Sequence, residues 1–529
     1  MKLIENTGKG LMAIAAKLDD LGILAEHFAK PYEEIKLLLT DYQSQARNEI
    51  DPKLIRKIKS YLKKLNADSH VPLDFRLKVM ALLTEHVEIL DDRLLPDALN
   101  SYRAAIEVLY GYALNDRDLA PSLAELAATA MTLSTRIQRK NARQYKRPSL
   151  INVRETLSLA KLALELTRKF HLEGTDGAST LRQQIALHEI IRSMRTRAMT
   201  VKDQQIVFDA LYEQMQEDHL IDVRFIPGNS HMEIFGFALI SDIQKANLLP
   251  RKSLRANETT TEDTIVCELD LLITKMIEEM KSSQSIMGKS TSRYHDDFAF
   301  INERLNKAII SGLAMIDLMR EKKRSYERKP PNPPVYIQIE DDVGQALDSL
   351  ISNKKSSSFI LQNATTGETS IWLTVDASEG GYCLEKLPSD VNAYSSFEVA
   401  DLVYITALTR ADNKAGTKEL KQLDQSLCTV CWYEQDDDNV ARIGLSRLKN
   451  GEARRARIKT SLLTTEAPKE FASFVEKISE DSLGIWTVDV DLSPGTCIEI
   501  HTADGIQIGK VGKPIKYGAN YTVYGCKLQ

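Results

Sequence analysis

An aspartate and a serine two positions apart, followed by two glycines, make up the segment Asp376-Ala377-Ser378-Glu379-Gly380-Gly381. The carboxylate accepts hydrogen bonds and the hydroxyl both donates and accepts, so the pair can address one ligand from a strand end. The apolar run Ile371-Trp372-Leu373-Thr374-Val375 just before it reads as that strand. The glycines let backbone approach a ligand closely, or adopt positive φ in a turn. The same string also serves as an ordinary Asp/Ser/Gly turn that caps a strand.

Two further segments follow in order. Thr429-Val430-Cys431-Trp432-Tyr433 reads as a strand, Asp436-Asp437-Asp438-Asn439 as a polar turn, and Ile443-Gly444-Leu445-Ser446-Arg447-Leu448 as another strand. Together the three segments resemble the PilZ domain, a small bacterial β-barrel that binds cyclic di-GMP. Its pattern runs D/N-x-S-x-x-G, then V-x-W, then I-G-[apolar]-x-[apolar]. The resemblance implies that Asp376 and Ser378 bond a guanine base and that Gly381 keeps the surface open. It also implies an R-x-x-x-R arm just before the barrel. Arg320-Glu321-Lys322-Lys323-Arg324-Ser325-Tyr326-Glu327-Arg328 holds two overlapping copies. Arg324 and Arg328, with Arg320 as an additional candidate, would hold phosphate and guanine, since an arginine fork matches phosphate oxygens and the guanine O6/N7 edge. Taken without the resemblance, these residues form a basic, solvated helix end favoured by the macrodipole. The chain departs from the family pattern in one respect: an insertion that includes an expected helix at Val343–Ile351 separates Arg328 from Asp376.

The elements that must position these residues fall into two parts. The chain has 529 residues, enough for roughly two to four domains with ample core. Up to about residue 328 helical periodicity dominates. Phe75, Val79, Leu82, Leu83, Val87 and Leu90 recur at helix spacing, as do Val153, Leu157, Ala160 and Leu164, and Phe298, Ile301, Leu305, Ile309, Ile316 and Met319. About ten to fourteen helices are expected there, as a bundle over 1–175 and a second helical region over 176–328. Val223–Gly228 and Met232–Phe235 read as a short hairpin. Residues 252–264 and 281–292 are rich in Ser and Thr and read as mobile loops.

Lys329-Pro330-Pro331-Asn332-Pro333-Pro334 cannot continue a helix and marks a linker over 329–334. Strands are expected at Val335–Ile339, Phe359–Gln362, Ser370–Val375, Tyr382–Glu385, Leu402–Ala407, Leu427–Tyr433 and Ala441–Ser446, forming a PilZ-like β-barrel over 335–465. Ile485–Asp491, Cys497–His501 and Ile506–Val511 add a C-terminal β extension over 466–529, with a hairpin at Asp504-Gly505. The fold class is therefore multidomain α + β, an all-helical N-terminal body followed by a barrel with extra strands. No internal repeat of fixed period is found.

Composition is that of a globular protein, with 27% charged and 43% hydrophobic residues and a net charge of −5. That balance argues against a nucleic-acid coat. The basic group Arg136, Arg139, Lys140, Arg143, Lys146, Arg147, interleaved only with Tyr145, reads as a solvated helix end and loop. Arg454, Arg455, Arg457 and Lys459 either serve ligand phosphates or guard a solvated edge strand. The six cysteines are scattered, with Cys428-x-x-Cys431 the one close pair, and reduced thiols in a cytoplasm are expected. No signal peptide, membrane helix, metal set or catalytic fingerprint is read from the chain, so no metal, cofactor or enzymatic activity is expected.

The segments Val71-Pro72-Leu73-Asp74-Phe75-Arg76, Ser101–Ile106, Ala120–Leu126 and Asn152-Val153-Arg154 are similar to the helical part of FimW-type PilZ-like effectors, a proteobacterial family tied to surface sensing and type IV pili. The resemblance implies a cytoplasmic signalling effector, recruited to a cell pole, that binds cyclic di-GMP and relays it to protein partners such as pilus components. It implies no nucleic-acid partner and no membrane insertion. Two alternatives stand beside it: a protein-binding scaffold whose degenerate barrel has lost its ligand, and a single-strand nucleic-acid module using the barrel in OB-like fashion.

Overall fold

The computed structural model describes residues 25–45, 50–146 apart from 69, 148–194, 199–215, 220–245, 247–275 apart from 261, 329–340 apart from 333, 370–386, 397–412, 418–435, 440–448, 451–458, 470–502 apart from 489, 505–517 and 520–529, with a few single positions between. The chain divides into two compact units. The first comprises 1–144, 148–195 and 205–323; the second comprises 145–147, 196–204 and 324–529.

Among the described residues the helices are α1 (Ala25–Gln45), α2 (Pro52–Ala67), α3 (Leu73–Thr84), α4 (Leu95–Ala113), α5 (Ala120–Arg143), α6 (Leu150–Lys169), α7 (Asp176–Ser193) and α8 (Val201–Gln214). That is fewer than expected; the helical pattern at 298–319 lies outside the described residues, as does the 281–292 loop. Local signals set the ends: Asp51 caps α2 by accepting from the Lys53 amide at 2.8 Å, and prolines open α2, α4 and α5. Phe75, Val79, Leu83, Val87 and Leu90 are all buried, as their spacing predicts.

The region 176–328 is not all helical. It contains a four-stranded antiparallel sheet in the order β1-β4-β2-β3, from β1 (Asp222–Ile226), β2 (His231–Asp242), β3 (Asn247–Thr259) and β4 (Thr264–Glu268). Most of the expected 252–264 loop is therefore strand. Its polar residues suit β3, which among the described residues pairs with β2 alone. The expected β1–β2 hairpin is also corrected, because β4 lies between the two strands. The turn at Gly174–Gly177 lies inside the first unit. Of the basic group, Arg143 at the helix end and Lys146 beyond it are exposed as expected, while Arg136 and Arg139 are engaged. Arg136 donates to the Val87 and Leu90 carbonyls, and Arg139 pairs with Asp209 at 3.0 Å.

The second unit holds two closed barrels. The first consists of β5 (Val335–Glu340), β6 (Ser370–Ser378), β7 (Gly381–Lys386), β8 (Leu402–Asp412), β9 (Lys418–Gln435) and β10 (Ala441–Arg447). Around the barrel the order is β5-β6-β7-β10-β9-β8. Phe359–Gln362 falls outside the described residues. The expected C-terminal extension is itself a closed barrel, of β11 (Gly451–Ile458), β12 (Glu470–Ser479), β13 (Ser482–Thr487), β14 (Cys497–Thr502), β15 (Gly505–Tyr517) and β16 (Thr522–Leu528), ordered β11-β12-β13-β16-β15-β14. Counted from each barrel's own first strand, both orders read 1-2-3-6-5-4, so the chain repeats one topology with no sequence period to announce it. β11 with its arginines pairs on both sides, with β12 and β14, and is not an edge.

Alternation along the strands fills each barrel. Ile337, Trp372, Leu384, Ile405, Val430 and Ile443 fill the first, and Ala456, Ile485, Ile498, Ile500 and Tyr524 the second. A third cluster joins them: Leu402, Tyr404 and Leu427 on the outside of the first barrel meet Phe474, Trp486, Tyr521 and Val523 on the outside of the second, with Val343 and Leu347. Val343, Leu347 and Ile351 are helical, as expected for that insertion. Tyr145, from the short 145–147 segment of this unit, is buried. It stands edge-on to Tyr433 at 5.6 Å, and its carbonyl accepts from the Gln435 amide at 2.9 Å.

Candidate functional site

In a regular strand, residues two apart share a face. Trp372 and Thr374 on β6 are buried, so an unbroken strand would turn Asp376 inward as well. The pairing breaks there: Thr374 faces Leu384 and Asp376 faces Cys383, leaving Val375 as an extra residue. This bulge reverses the phase. Ala377 packs against the barrel core, while Asp376 and Ser378 lie half-buried on the outer face.

A second bulge does the same on β9. Val430 is in the core opposite Leu445, Trp432 pairs with Gly444, and Cys431 is the extra residue. Trp432 therefore turns outward, half-buried, while Tyr433 packs against the core. Because Cys383 pairs with both Asp376 and Gly444, one row crosses four strands on the outer face: Asp376, Cys383, Gly444, Trp432. The three sequence segments thus meet on one surface. A Cβ on Gly444 would fall inside the Trp432 indole, so the glycine lets that ring fold down over β10.

Gly381 sits in the neighbouring row, between Ser378 and Ser446. It is buried at φ 153, and a Cβ there would overlap the Leu445 carbonyl oxygen. The missing side chain lets β7 come close to β10 at this point. The Ser378 hydroxyl accepts from the Gly380 amide at 3.3 Å, and the Arg447 amide donates to the Gly380 carbonyl at 3.0 Å, so both ends of the turn are fixed. The Arg447 guanidinium lies 5.3 Å over the Tyr382 ring and bonds Asp424 at 2.7 Å. Burial raises the Tyr382 hydroxyl above its ordinary value, against the lowering effect of Arg447.

Arg320, Arg324 and Arg328 lie outside the described residues. The next residue in the chain, Lys329, is described and forms an isolated antiparallel bridge with Ala377, between Asp376 and Ser378. The Lys329 amide donates to the Ala377 carbonyl at 3.3 Å, and the Ala377 amide returns a bond at 3.1 Å. The insertion between β5 and β6 therefore does not carry the start of the barrel away from the Asp/Ser segment.

Three members of the row, Cys383, Gly444 and Trp432, are not singled out as site residues by sequence reasoning. The available signal was Val430 with Trp432: two bulky residues that would share the core in an unbroken strand.

One arrangement elsewhere has the form of a nucleophile, a base and an orienting acid, drawn from residues that no sequence motif links. Ser134 Oγ is 3.1 Å from His188 Nε2, and His188 Nδ1 is 2.7 Å from Glu189 Oε1. The three residues are 4%, 0% and 0% exposed, so no substrate reaches them. Gln138 Nε2 also sits 2.7 Å from His188 Nε2, and Ser241 and Arg192 hold Glu189. Burial opposes ionisation of Glu189, but Arg192, His188 and Ser241 together hold its carboxyl below the usual range. The cluster ties α5 and α7 to β2.

Among the described residues no group of three His, Cys, Asp or Glu is placed to hold a metal, and no helix is long and apolar enough to cross a membrane. None of the six cysteines is in a disulfide. The polar turn at Asp436–Asp438 lies outside the described residues.

No family model matches this chain, and no curated protein does. Two solved structures are similar to part of it. One is MrkH, described as a novel c-di-GMP-dependent transcription regulatory factor, at 8% identity and a TM-score of 0.14, covering 39% of this chain and 86% of MrkH. The other is K. pneumonia MrkH in its apo state, at 8% identity and a TM-score of 0.12, covering 38% and 88%. Likeness at this level carries no argument about this chain.

Proposed function

We propose that this protein is a signalling effector rather than an enzyme, binding cyclic di-GMP on the outer face of the first barrel. The observation that carries the reading is the shared row of Asp376, Cys383, Gly444 and Trp432, with Lys329 bridged to Ala377 at its end. Guanine presents N1–H and N2–H₂ as adjacent donors, and a carboxylate accepts both. Ser378 adds a hydroxyl beside it. Arg328, bonded in sequence to Lys329, and Arg324 four residues earlier supply cations for phosphate and for the guanine O6/N7 edge. Ligand would hold this arm against the barrel. That shifts a population only by the difference in affinity between the held and released arrangements. A cytoplasmic protein of this kind would relay the change to protein partners, type IV pilus or surface-attachment components among them.

Calorimetry on the full chain with cyclic di-GMP tests the reading. Saturable heat, abolished in Arg324→Ala/Arg328→Ala, is expected. No heat at millimolar ligand would sink it and leave a protein-interaction scaffold with a degenerate barrel.

A further inference from the structure

We infer that Trp432 is the platform on which a flat heterocycle of the ligand stacks, a role that rests on the cyclic di-GMP reading of this face. Strands lie about 4.8 Å apart, so Gly444 is roughly 10 Å from Asp376 across Cys383. The Trp432 ring covers Gly444 and so reaches back toward Asp376 by one strand. Between carboxylate and indole the row holds only a cysteine side chain and a glycine, which leaves the face low enough for a planar ring. A base bonded at Asp376 therefore extends over Cys383 to the indole.

The way the indole gets there supports a ligand role. The other two tryptophans are covered by protein: Trp372 fills the first barrel and Trp486 the cluster between the barrels, at 2% and 3% exposed. Trp432 is half-buried because the Cys431 bulge re-aims it, just as the Val375 bulge re-aims Asp376. Two independent irregularities on strands that are not neighbours bring one acceptor and one aromatic ring to the same outer row. Base–aromatic stacking is tolerant of base identity. The indole thus contributes affinity for purines in general, while Asp376 selects guanine.

The test uses the full chain, with its three tryptophans. Titration with cyclic di-GMP should change the emission of the half-exposed tryptophan and shield it from acrylamide; the change should vanish in Trp432→Phe. By calorimetry Trp432→Leu should lose roughly tenfold or more in affinity, and Trp432→Phe, which keeps a flat ring, should recover most of it. If the protein binds cyclic di-GMP with heat but Trp432 emission and acrylamide access stay unchanged, the stacking role is wrong and the binding reading survives. If wild-type protein gives no heat, the binding reading fails and takes the stacking role with it. Should Trp432→Leu not fold, the acrylamide measurement on unaltered protein still decides.

Discussion

Asn520 holds both backbone groups of Leu402 with one side chain. Its Oδ1 accepts from the Leu402 amide at 2.7 Å and its Nδ2 donates to the Leu402 carbonyl at 2.9 Å. The side chain of one barrel thereby completes the backbone pairing of the first residue of β8 in the other. Beside it, Trp486 stacks on Tyr521 at 4.8 Å, with the Lys516 ammonium 4.8 Å from the indole centroid.

Asn520→Ala should cost about 1–3 kcal/mol, because two backbone groups lose their partner at once. Urea unfolding of the 324–529 unit within the full chain measures it. A loss under 0.5 kcal/mol, on the order of a surface change, would mean that the apolar cluster alone joins the barrels.

Asp376→Ala should weaken cyclic di-GMP binding by about 1–3 kcal/mol, the scale of a charged hydrogen bond, and change thermal stability less. Calorimetry beside a melting curve separates the two. Unchanged affinity would remove Asp376 from the site.

Gly444→Ala puts a methyl group where the indole lies. The expected cost is about 1–3 kcal/mol of overpacking, together with altered Trp432 emission. Ala at this position with unchanged emission would contradict the ring's placement over β10.

Glu125 on α5 is pushed up to about 7, first by burial and then by Asp176. Its folded value lies above that of the unfolded chain, so the native state keeps a proton that the unfolded state releases. The protonated carboxyl is tolerated below about pH 4.5, and stability falls as pH rises toward 7. The loss is at most about 3 kcal/mol, from 1.36 kcal/mol per pKa unit. Glu125→Gln should flatten this segment of the pH–stability curve and be the more stable protein at pH 8, measured by urea titration. Parallel curves for the two proteins would show the carboxyl to be ionised at no cost.

The first barrel was legible in the sequence through the spacing of its short apolar strands and the three motif segments on β6, β9 and β10; Ile337, Ile339, Trp372, Leu384, Ile405, Val430 and Ile443 line its interior. The second was legible only as strands. β12 buries both faces, Phe471 and Ser473 toward its own barrel and Phe474 toward the other, so no alternation shows. β3 carries Arg251, Lys252, Ser253 and Asn257, and takes strand form through its pairing with β2. At the candidate site, Asp376 and Ser378 could be picked out by type. That Asp376 faces outward could not, because the extra residues Val375 and Cys431 look like any others in a strand.

The matching order 1-2-3-6-5-4 of the two barrels bears on how the chain reaches its fold. A nascent β6–β7 hairpin and a β12–β13 hairpin have the same shape and the same place in their respective barrels, and they are tethered within one unit. Either could enter the wrong barrel during refolding, the characteristic misassembly of adjacent like units. What discriminates is side-chain content: Trp372 and Thr374 fit one interior, Phe471 and Ser473 the other. The lack of sequence likeness between the two halves of this unit thus guards against strand exchange, and substitutions that made the two hairpins alike would slow refolding before they changed native stability.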